Sequence, residues 1–62
     1  MIDVFRTGQG KTLRVEEADD GGLRVEILKD GIWSPAPRGM IGLRLSKDTH
    51  HLTPAEVLAL PI

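Results

Sequence analysis

The chain has 62 residues, eight Lys and Arg against nine Asp and Glu, a formal charge of −1 and no cysteine. One small domain, 1–62, is all this length supports, and disulfides and thiolate metal sites are excluded. The mixed charges give no whole-molecule basic field, so strong nonspecific nucleic-acid binding is not implied.

No apolar run approaches the roughly 18 residues of a membrane span. The first residues lack the basic start and apolar stretch of a secretory leader. A cytoplasmic protein with no membrane partner is therefore expected. A core this small is marginal alone, which points to partner chains and makes a homo-oligomer, such as a homodimer, the natural expectation.

In chain order, Ile2–Arg6 and Thr12–Glu16 read as strands. Gly8-Gln9 between them suits a two-residue type II′ loop. That register pairs Val4 with Leu13 and Ile2 with Val15 on one apolar face. Asp3 then meets Arg14, and Phe5 meets Thr12, on the other. Leu23–Ile27 is the third strand, after an acidic loop from Ala18 to Gly22. Keeping both apolar sets on one side pairs Val15 with Val25 and Leu13 with Ile27. The same register sets Arg14 against Glu26 and Glu16 against Arg24, two opposite-charge pairs.

Asp30-Gly31 is the next turn signal. Pro35 and Pro37 cannot donate to a central ladder, so the segment from Ser34 to Gly39 is a loop or an edge. Met40–Ser46 resumes the alternation, with Ile41, Leu43 and Leu45 inward and Arg44 outward. Thr53, Pro54 and Glu56 form a capping box with proline at the first helical position, and Leu52 and Val57 are spaced as a hydrophobic staple. Pro61 ends this short helix. The expected fold is β-rich α+β: a four-stranded antiparallel sheet followed by one short C-terminal helix.

Signals for chemistry are weak. Gly8–Thr12 ends like a phosphate-binding loop, but Phe5 stands where its first glycine belongs and a strand follows instead of a helix. Asp48–His51 offers two adjacent histidines with no third ligand at useful spacing, so a solvated turn is expected and no metal or cofactor. Ser34 and Ser46 sit beside turn signals, where serine is ordinary. Nothing argues for an enzyme.

The polar sheet face is more informative. Alternation places Arg14, Arg24, Arg44 and Phe5 on one side. Arginines with an aromatic on a sheet can hold single-stranded nucleic acid, phosphates on the cations and bases on the ring. The same arginines have Glu26, Glu16 and Asp3 opposite them, which also fits a salt-laced solvated face. Trp33 fits either a core or subunit contact or a stacking surface.

Phe5 and Gly8, then Leu13 and Val15, then Leu23, Val25 and Ile27, then Gly31, Pro35, Arg38 and Gly39, and finally Leu43 and Leu45 follow one another in an order that resembles positive cofactor four. That family is the single-stranded-DNA-binding transcriptional coactivator domain. The match runs from Phe5 to Leu45, and its specificity lies in order and spacing. The resemblance implies a non-catalytic protein that binds single-stranded DNA or RNA, with Arg38 meeting phosphate, Trp33 stacking and Gly39 turning the chain into strand four. The rival expectation is a homo-oligomeric interaction or structural module without nucleic acid.

Overall fold

The computed structural model describes residues 2–62 as a five-stranded antiparallel sheet in the order β4-β3-β2-β1-β5, with one short α-helix. The strands are β1 (Ile2–Arg6), β2 (Thr12–Glu17), β3 (Leu23–Lys29), β4 (Ile32–Pro35) and β5 (His50–His51). A 3-10 helix, Arg38–Leu45, joins β4 to β5, and α1 is Pro54–Leu58. The antiparallel sheet and C-terminal helix agree with the sequence reading; the sheet has five strands where four are expected.

The first two hairpins share one device. The Thr7 N–H donates to the Lys11 carbonyl at 2.8 Å, the Gly10 N–H donates to the Thr7 carbonyl at 2.9 Å, and Gly10 has φ 82°. Ala18, Gly22 and Gly21 repeat the pattern at 2.7 and 2.9 Å, with Gly21 at φ 83°. Each is a three-residue loop closed by a left-handed residue, a position glycine occupies at no steric cost.

The β2–β3 register is the expected one, with Val15 opposite Val25 and Arg14 opposite Glu26. The β1–β2 register is not. Its loop is Gly8–Gly10, one residue longer than the two-residue turn, and a one-residue slip turns every side chain over. Phe5 pairs with Leu13 and Asp3 with Val15. Phe5 and Leu13 are fully buried, and with Val15 and Val25 they form the core, with Ile27, Ala36, Met40 and Ile41 packed against it. Burying a large apolar side chain contributes roughly 1.5–3 kcal/mol. The slip gains this for Phe5 and turns Ile2 and Val4 to the opposite face.

Asp30 and Gly31 have φ 51° and 78°, the paired positive values of a type I′ hairpin turn. They return the chain into β4, an edge strand. The Ala36 N–H donates to the Val25 carbonyl at 3.0 Å. By alternation Ile32, Ser34 and Ala36 turn their backbone groups toward β3, while Trp33, Pro35 and Pro37 turn theirs outward. Both prolines thus remove donors from the open edge, which blocks pairing with a further strand.

With that edge closed, Met40–Ser46 does not form the expected strand. It crosses the core face as the 3-10 helix, where side chains three apart align. Gly39, Gly42 and Leu45 fall on its exposed side, while Ile41 and Arg44 are half-buried. Ile41 therefore faces the core as expected, but Leu43 and Leu45 do not: both are exposed, Leu45 to 91%.

The loop closure yields a direct test. A Cβ on Gly10 would meet nothing within 4 Å, so Gly10→Ala carries backbone strain alone. It should cost about 1–2 kcal/mol, read as a melting temperature lowered by roughly 4–16 °C; an unchanged melting temperature refutes this loop.

Candidate functional site

The six residues that sequence reasoning groups together occupy three places. Phe5 is in the core and offers no ring to a ligand. Arg14, Arg24 and Trp33 share the sheet face opposite the 3-10 helix. Arg38 and Arg44 belong to the 3-10 helix, on the other side.

On the open face the strands build rows of neighbours. Arg6, Thr12, Leu28 and Trp33 form one row, Val4, Arg14, Glu26 and Pro35 the next, and Ile2, Glu16 and Arg24 the last. The Arg14 guanidinium donates from Nε to Glu26 Oε1 at 2.8 Å and lies 4.4 Å from the Trp33 ring centre. Arg14 is thus held at once by a carboxylate and by the face of an aromatic ring. Glu16 sits opposite Arg24, but no ion pair joins them, and Arg6 also makes none with any described residue.

Beside this face an open cleft of about 520 Å³ separates the sheet from the C-terminal segment. Arg6, Thr12 and Leu28 line one side, Asp30 and Gly31 the hairpin end, and Leu60 and Pro61 the other side. The approach at the hairpin end is close: a Cβ on Gly31 would come within 3.1 Å of the Pro61 carbonyl.

On the opposite side Asp3 is the junction. Its Oδ2 accepts from Arg44 Nε at 3.1 Å, and its Oδ1 lies 3.2 Å from His51 Nδ1. The register slip places Asp3 there, beside the 3-10 helix, and removes it from Arg14. Arg38 remains exposed, and its guanidinium lies 3.5 Å from the Leu23 carbonyl. No known protein family, curated protein or solved structure matches the chain.

The two histidines, expected in a solvated turn, form β5 against β1. His50 Nε2 stands 2.9 and 3.1 Å from the two Glu56 oxygens. Glu56 also closes the capping box: its Oε1 accepts from the Thr53 N–H at 2.9 Å, and its own N–H donates to Thr53 Oγ1 at 3.2 Å. Sequence reasoning finds the box but not the histidine, because a contact across a turn leaves no periodic signal. Among the described residues no group of three or more His, Cys, Asp or Glu could hold a metal ion.

The Thr53 N–H first, and the His50 ring second, stabilise the Glu56 carboxylate and lower its pKa from 4.5 to about 2. A lowered folded value means the contribution is present above about pH 4.5 and is lost as pH falls toward 2. The Glu56 side-chain carbonyl resonance should titrate with a midpoint near 2; a midpoint at 4.5 would show that the box does not hold the charged form.

Proposed function

We propose that the chain is a non-catalytic interaction module that presents apolar side chains to a protein partner, a second copy of itself before any other. One observation carries this reading. Among the described residues seven large apolar side chains are exposed (Ile2, Leu23, Ile32, Leu43, Leu45, Leu58 and Ile62), while five hydrophobic residues are buried. Single exposed apolar residues are ordinary, but a surplus over the core is what a chain stabilised by association would carry. The accessible surface, 4428 Å², also exceeds the roughly 4,000 Å² that size scaling gives for a folded monomer of this mass. A charge of −1 offers little repulsion between copies.

The sheet edges limit how a partner can bind. Pro35 and Pro37 blunt β4, and β5 covers part of β1, so contact through side chains is favoured over strand addition. Light scattering should give a mass at least twice 6.8 kDa at micromolar concentration. Leu45→Lys and Leu58→Lys change residues 91% and 87% exposed, so they spare the core, and at least one should shift the population to monomer. A monomer at all accessible concentrations refutes self-association.

A second reading, single-stranded nucleic-acid binding and with it a role as a transcription cofactor, is favoured by one specific arrangement. Among the described residues Arg24 and Arg6 make no ion pair, and they stand on the same face as Trp33. Titrating a single-stranded oligonucleotide at low salt should then quench Trp33 fluorescence, and the affinity should fall steeply as salt rises. Arg24→Ala should weaken binding and reduce the salt slope by about one. Absence of binding at low salt removes this reading.

A further inference from the structure

Asp20-Gly21 and Asp30-Gly31 are the two Asp-Gly pairs of the chain, and each sits in a hairpin loop. Such a pair can react with itself, because the glycine nitrogen approaches the aspartate Cγ with no side chain beside it. The fold treats the two pairs differently. At Asp20 both reacting groups are held: Oδ1 accepts from the Gly22 N–H at 2.8 Å, and the Gly21 N–H donates to the Ala18 carbonyl at 2.9 Å. At Asp30 neither is held. Asp30 is exposed, and among the described residues its carboxylate has no hydrogen-bond or ion-pair partner and the Gly31 N–H has no acceptor.

We propose that Asp30-Gly31 is a site of self-modification, at which the folded chain converts Asp30 to isoaspartate. The Gly31 nitrogen attacks Cγ of the Asp30 carboxylic acid. A C–N bond forms, the C–OH bond breaks, and the hydroxyl leaves with the amide proton as water, closing a five-membered succinimide. Water then adds to one of the two ring carbonyls. Addition at Cγ breaks its bond to nitrogen and restores aspartate. Addition at the main-chain carbon breaks the original peptide bond and leaves the chain running through Cβ and Cγ. The net change is an isomerisation, with no oxidant, no co-reactant and no change in mass.

Ring closure needs rotation about the aspartate Cα–C bond. In either loop this strains the pair that closes the hairpin, Lys29–Ile32 or Ala18–Gly22. At Asp20 it must also break the two bonds that hold the reacting groups, which at the usual net strength of such bonds slows it at least about fivefold. The product adds one main-chain atom to a two-residue turn whose paired positive φ values match the twist of its strands. The change therefore loosens the start of β4. It also reaches the cleft, since a Cβ on Gly31 would already stand 3.1 Å from the Pro61 carbonyl.

The test incubates the full chain at physiological temperature in mildly acidic buffer, folded and in denaturant, and locates isoaspartate by electron-transfer fragmentation. In denaturant both pairs should convert at similar rates. In the folded chain isoaspartate at position 30 should exceed that at position 20 at least about fivefold. In the purified isoaspartate form, exchange of the Ile32 amide should rise at least about threefold relative to that of Ala36. Equal or reversed rates in the folded chain overturn the proposal, as does a folded Asp30 that stays unconverted while the denatured chain reacts. Unchanged Ile32 exchange refutes the effect on the hairpin.

Discussion

The placement of Phe5 in the core is the constraint on which the rest depends. It is the only phenylalanine, it is fully buried, and it faces inward because the β1–β2 loop is three residues long and closes on Gly10. Strand geometry then fixes the neighbours. Asp3, two residues earlier, must share the inward face, and there it meets both Arg44 and His51. Ile2, Val4 and Arg6 must turn to the opposite face, where Val4 is buried all the same. One added loop residue thus decides which cations have a carboxylate partner and where the 3-10 helix and β5 are tied to β1.

The parts legible in the sequence have redundant signals. The β2–β3 register follows from apolar alternation and is confirmed by two opposite-charge positions, the Asp30-Gly31 turn from its residue types, and the helix start from Thr53, Pro54 and Glu56. The parts not legible have two solutions of similar local quality. Gly8 and Gly10 can each serve a tight loop, and only burial of Phe5 against Leu13 separates them. Ile41, Leu43 and Leu45 fit a period of two, while Gly39, Gly42 and Leu45 fit a period of three. β5 is too short to show any period. At the candidate site, Arg14, Arg24 and Trp33 come from strands whose parity is readable, and they do share a face. Phe5 and Arg44 do not join them, because their placement rests on the loop and on the strand that the structure replaces.

The stretch from Trp33 to Gly39 looks in the sequence like a basic lip for a ligand. Much of its composition is explained by the edge it forms. Pro35 and Pro37 occupy the outward-facing backbone positions, where a missing donor costs the sheet nothing and denies a template to another strand. Trp33 lays its ring against Arg14, which Glu26 already holds. A phosphate would have to draw Arg14 away from both partners. On the open face Arg24 and Arg6 are therefore the cations whose use costs least.

The exposed apolar side chains are not spread evenly through the fold. Leu43 and Leu45 lie on the 3-10 helix, Leu58 on α1 and Ile62 beyond it, and Ile2, Leu23 and Ile32 at strand ends. They mark where regular structure stops, and the short sheet has no further surface with which to cover them. The middle of the sheet is covered on one side by the 3-10 helix and on the other carries the Arg14–Glu26 ion pair beside the buried Val4. Four of the seven, Leu43, Leu45, Leu58 and Ile62, lie in the segments after β4, so a partner docking there would reduce the apolar surplus most. Those segments hang from β1 through Asp3, β5 and the Leu52–Val4 bond, so the hold of β5 on β1 and the presentation of Leu45 and Leu58 are parts of one mechanical unit.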